Sequence, residues 1–160
     1  MQFRALAALL VFGALVGSRA DAQTAIQTVT FEVNAINQVA VTGSPSLTIS
    51  TATPGSAPTA ATANGTWAIT TNQTGSKITG SLGAAMPAGV TLFANLTAPD
   101  GGATSAGAVG LGTTAVDLVT GITKLNASAL ALTYTLNATA AAGVVASTTR
   151  EVTFTVTGGI

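Results

Sequence analysis

Val29-Thr-Phe-Glu-Val33 and its near copy Val152-Thr-Phe-Thr-Val156 decide the reading of the fold. In each, apolar Val, Phe and Val take alternate positions with Thr or Glu between them, the period of two that lets a strand bury one face and wet the other. A chain that carries the same strand near both ends is expected to be all-β, with those strands at its margins. The first strand is expected over Ile26–Val33 and the last over Arg150–Thr157.

Between them the same alternation recurs. Gln38–Thr42 is read as a short strand around Val39 and Val41, and Leu47 and Ile49 form another short alternation. Thr51–Gly65, with Pro54, Gly55 and Pro58 and no large apolar residue before its end, is expected to be the longest loop. Thr66–Thr70 carries Trp67, the chain's single tryptophan, and Lys77–Leu82 is predicted to be its hairpin partner across Asn72-Gln-Thr-Gly75. Val90–Leu96 is a strand closed by the turn Pro99-Asp-Gly-Gly102. Val109–Leu111 is a short strand, Ala115–Val119 is irregular or a short edge strand, and Ala129–Asn137 is the clearest strand of all. Roughly seven to nine short strands with turn signals between them, and no sustained helical period, predict a single immunoglobulin-like antiparallel β-sandwich.

That domain is assigned to residues 23–160, because residues 1–22 read as a signal peptide. Arg4, the apolar run Ala5–Val16 and the small-x-small triplet Ala20-Asp-Ala22 supply its three parts. The run is shorter than the roughly 20 apolar residues of a spanning helix, so no membrane span is expected in the mature chain. The expected location is secreted, extracellular or on the cell surface, with periplasmic transit if the source is Gram-negative.

Charge is scarce, at 6 % of residues against roughly 25 % in an ordinary globular domain. After cleavage, Lys77, Lys124 and Arg150 face Glu32, Asp100, Asp117 and Glu151, which leaves no basic surface for nucleic acid. A neutral surface rich in Thr, Ser, Asn and Ala offers little electrostatic resistance to packing against copies of itself. Cysteine is absent, so an exported chain must rely on sheet pairing and core packing rather than disulfides.

Histidine is absent too, which removes His-based triads and the commonest metal ligands. Asp100 and Asp117 are the only carboxylates worth weighing as an acid/base pair, and nothing in their spacing brings them together. The expectation is no enzyme, no metal and no cofactor. Asn64, Asn72, Asn95, Asn126 and Asn137 each begin an Asn-x-Ser/Thr triplet that can accept a glycan in a host that glycosylates. Phe31, Trp67, Tyr134 and Phe154 occupy strand positions that suit a core. Phe93 shares a face with Thr91 and Asn95, so it is either an exposed contact residue or part of a strand covered on both sides.

Leu132-Thr-Tyr-Thr-Leu136, the Ala-rich turn with Gly143 and the closing Val152–Val156 resemble the last strands of secreted bacterial pilus and fimbrial subunits of the chaperone–usher and spore-coat-U-like kind. The resemblance implies donor-strand complementation, in which an N-terminal extension of one subunit fills the sheet of the next. Physically this is strand addition to an open edge. Ile26, Val29, Phe31 and Val33 are the candidate donor, and Val152, Phe154 and Val156 the candidate acceptor, within one molecule or between neighbours. The expected function is a structural fimbrial or filament subunit whose partners are itself or other surface-fibre subunits. The alternative is a monomeric adhesin or carbohydrate-binding module that recognises its ligand through loops such as Thr51–Gly65 or Pro99–Thr114.

Overall fold

The computed structural model describes residues 22–160, so the signal-peptide reading of residues 1–22 lies outside the described residues except for Ala22. Val33–Ile160 forms one compact body. It contains seven strands in a single sheet: β1 (Asn37–Thr42), β2 (Ala61–Leu82), β3 (Val90–Leu96), β4 (Thr104–Ser105), β5 (Val109–Gly110), β6 (Val116–Ala138) and β7 (Val152–Thr157). Every pairing is antiparallel. The strand order is β1-β2-β6-β3-β5, with β7 also on β2 and β4 also on β6.

The organising pair is β2 with β6, 22 and 23 residues long. At about 3.3 Å per residue either strand would span roughly 70 Å if straight. A compact body the size of Val33–Ile160 has a radius of gyration of only about 14 Å. The pair therefore has to bend, and it does so where the register shifts repeatedly between Thr71 and Thr79. Gly75, at φ +77°, supplies a backbone conformation that other residues avoid.

This bend corrects the expected hairpin. Thr66–Thr70 and Lys77–Leu82 do not pair with each other; both belong to β2 and pair in succession along β6. Of the expected Ala115–Val119, Val116–Val119 becomes the start of β6, continuous with the strong Ala129–Asn137 alternation. β2 begins at Ala61, which shortens the expected loop, and within it an isolated bridge joins Ala52 to Pro58. Leu47 and Ile49 belong to no strand, although Leu47 packs on the core.

The buried side takes Trp67 and Ile69 of β2, then Ile78 and Leu82 after the register shifts, with Leu92, Ala94 and Leu96 of β3 and Ile122, Leu132 and Tyr134 of β6, while the consecutive Leu118 and Val119 are both buried beside the last of those shifts. Residues from both sides of the bend fall in one hydrophobic cluster. Trp67 is 1 % exposed, as its position predicts, whereas Phe31 is 87 % exposed and belongs to no core. Gly80 faces Phe154 across the β2–β7 pair. A Cβ there would lie 2.6 Å from Leu118 Cδ1, so a larger residue would force the buried Leu118 side chain to shift.

Candidate assembly edge

One side of β2 is covered by β6. Along the other side, four pieces of chain follow one another. β1 pairs with Thr66–Thr71 and β7 with Lys77–Leu82, and the bend between them is held by the two ends of the body. Asn72 donates its backbone N–H to Ile36 O at 3.2 Å, accepts from Ile36 N on its side-chain oxygen at 2.8 Å, and donates Nδ2 to Asn34 O at 2.8 Å. Two residues on, Thr74 and Ile160 exchange backbone hydrogen bonds at 3.1 and 3.2 Å.

Buried hydroxyls complete this junction. Thr71 Oγ1 donates to Asn37 Oδ1 at 2.7 Å and accepts from Gln73 N at 3.1 Å, and Ser76 Oγ donates to Gly158 O at 3.1 Å. A bulged strand leaves backbone groups without ladder partners, and buried polar groups left unpaired are costly. The polar side chains gathered at the bend answer that need.

Because β1 and β7 both run antiparallel to β2, they run parallel to each other, end to end. Among the described residues neither has a strand partner on its outer side. Neither contains a charged residue or a proline, the usual devices that block edge-to-edge pairing. Val152, Phe154 and Val156 oppose Leu82, Gly80 and Ile78 and are half-buried, while Val41 of β1 is exposed. The opposite margins differ, since β4 and β5 have only two residues each.

Ile26, Val29, Phe31 and Val33 are all exposed, and no residue from Ala22 to Ile36 belongs to a strand. The expected strand Ile26–Val33 is therefore not part of this sheet, and among the described residues Val152–Val156 pairs with β2 alone. No family model, curated protein or solved structure matches this chain. The edge is thus read from its own geometry.

The remaining sequence candidates are scattered. Asn64, Asn95, Asn126 and Asn137 are exposed on strands, and Asn64 Oδ1 accepts from Thr133 Oγ1 at 3.0 Å. Asn72 is half-buried, with Nδ2, the atom a glycan would take, already bonded to Asn34. Phe93 is half-buried on the outer face, its ring near Gly110. Asp117 pairs with Lys77 at 2.8 Å, and Asp100 sits in the turn after β3. Among the described residues no three or more Asp, Glu, His or Cys side chains cluster to hold a metal, and no helix is long and apolar enough to cross a membrane.

Sequence reading missed the junction itself. Its strongest signal is Gly158-Gly159 directly after the last strand. Glycine there marks a positive φ and a close backbone approach rather than a loose end. The polar Asn34, Asn37 and Asn72 carry no pattern that distinguishes them from loop residues.

Proposed function

We propose that this chain is a secreted, non-enzymatic structural subunit that joins copies of itself by strand addition. The observation that carries the reading is the coexistence of an unprotected, uncharged β7–β1 edge with an exposed apolar alternation at Val29, Phe31 and Val33 that its own sheet does not use. Backbone hydrogen bonds along the edge would supply affinity, and the alternate Val, Phe and Val side chains would meet Val152, Phe154 and Val156. The same reading takes the bent sheet as two layers of an immunoglobulin-like sandwich, with its copies outside the cell or on its surface.

Geometry favours a partner molecule over self-closure. The donor segment joins the body at Asn34–Ile36, which are bonded to Asn72 beside the end of β7. Folded back along its own β7 it would have to run parallel to that strand, the slightly weaker pairing per residue. A segment from another copy has no such restriction.

The test compares the chain with and without Gln23–Val33 by light scattering and electron microscopy. Concentration-dependent oligomers or fibres are expected only with the segment present. If both forms are the same stable monomer at high concentration, the assembly reading fails. A second reading, ligand recognition by a monomer, draws support from a cleft beside the Pro99–Gly102 turn.

A further inference from the structure

A shallow cleft of about 430 Å³ lies between that turn and β6, lined by Asp100, Gly101, Leu125, Asn126, Ser128 and Leu130. A smaller depression on the other side shares Asn126 and Ser128 with Thr70 of β2. The cleft is open to solvent rather than enclosed. It lies on the face of the sheet, whereas the assembly edge is its margin.

The backbone beneath the cleft is strained. Lys124 at φ +40° and Ala129 at φ +56° are the only non-glycine residues with positive φ among the described residues, and they bracket Leu125–Ser128. Next to Ala129 the register changes: Trp67 faces Leu130 and Ile69 faces Ala127, so β6 carries one more residue than β2 over this interval. The extra residue leaves Ser128 and Ala129 without partners in β2, while Leu125, Asn126 and Ala127 stay paired with Thr71, Thr70 and Ile69. Strain of this kind persists only where the surroundings enforce it, and it concentrates at ligand sites.

The side chains define a chemistry. Asp100, Asn126 and Ser128 make no side-chain hydrogen bond among the described residues, and the ion pair of Asp117 with Lys77 does not involve Asp100. Together they offer a charged acceptor, an amide that donates and accepts, and a hydroxyl. Leu125 and Leu130 add an apolar wall. A carboxylate can accept two O–H bonds from adjacent hydroxyls, and such charge-assisted bonds are stronger than neutral ones. A metal ion would need several oxygen ligands, and Asp100 is the only acidic one.

We propose that this cleft binds a neutral saccharide, with Asp100 accepting from adjacent sugar hydroxyls, Asn126 and Ser128 completing the polar contacts, and the leucines lying against the sugar's C–H face. This gives the ligand-binding reading a site and a ligand class, and it stands whether or not the chain self-assembles.

The test is amide NMR of the purified chain titrated with the methyl glycosides of glucose, galactose, mannose and N-acetylglucosamine, each to roughly 50 mM, a range that fills weak sites. Saturable shifts at Gly101, Asn126 and Ser128 are expected from at least one sugar. Asp100→Ala and Asn126→Ala should each weaken binding about tenfold or more while leaving the rest of the spectrum superimposable. Absence of saturable shifts from all four sugars overturns the proposal, as does binding unchanged in both variants. So does an equal response to methylammonium, which would mark a site for cations.

Discussion

The fully buried hydroxyl of Ser76 donates to the carbonyl of Gly158 at 3.1 Å, tying the bend of β2 to the residue that follows the last strand. Gly159, at φ +103°, continues this contact so closely that a Cβ would overlap Gln73 Cβ and lie 2.7 Å from Ser76 Oγ. Asn72 fastens Asn34 and Ile36 beside it. Both ends of the body are thus held by one bulge, and the position of the open edge depends on it.

Gly159→Ala is expected to expel the tail and to destabilise the domain by about 1 to 3 kcal/mol, the usual cost of overpacking at a site with no room to yield. Urea denaturation measures the loss, and hydrogen exchange at Thr74, whose N–H now donates to Ile160, should quicken locally.

Asn72→Ala removes one side-chain acceptor and one donor, and about 1 to 2 kcal/mol of stability should go with them. Faster exchange at Ile36 would accompany the loss, because its N–H donates to Asn72. Asn72→Asp keeps the acceptor and should cost less.

Phe31→Asp tests assembly without touching the core, since Phe31 is exposed in the single molecule. The thermal midpoint of the monomer should stay within experimental error while oligomers disappear from light scattering. A lowered midpoint would mean that Phe31 packs on the body in solution.

Ala129→Gly is expected to stabilise the domain, because left-handed backbone costs a non-glycine residue about 1 to 2 kcal/mol. Part of the gain is lost to the greater freedom of glycine in the unfolded chain, which leaves a net gain below about 1 kcal/mol. A higher urea midpoint with unchanged slope would show it.

Burial raises the ionisation of Tyr134 above the usual phenol value of 10.0. The fold favours the neutral phenol, so its contribution is complete below the unfolded pKa and is lost as pH rises through the folded value. Stability should therefore decline in alkali beyond about pH 10. Tyr134→Phe should flatten that decline.

Some elements were legible residue by residue. The expected Gln38–Thr42 and Val90–Leu96 emerge as β1 and β3, the expected Arg150–Thr157 emerges as β7 without its first two residues, and Trp67, Leu132 and Tyr134 are buried as their alternation predicts. Ile26–Val33 alternates just as well as β7 and joins no strand. Alternation records that a strand could bury one face, without saying what lies beside it. The Asp100 cleft was invisible for a related reason, since its residues come from a turn and from a bulged segment whose register only the partner strand sets.

What the sequence by itself determined is the class of fold, the scarcity of charge and the two matched apolar alternations, because each depends on local residue chemistry alone. Only the tertiary structure decided that Thr66–Thr70 and Lys77–Leu82 are one bent strand rather than a hairpin. It likewise decided that Val152–Val156 lies on β2 while Val29–Val33 remains outside the sheet. The physical reason is that a period of two is identical on either side of a bend and at either end of a chain. Partner choice is set by which backbone edges and buried hydroxyls the whole sheet leaves to be satisfied.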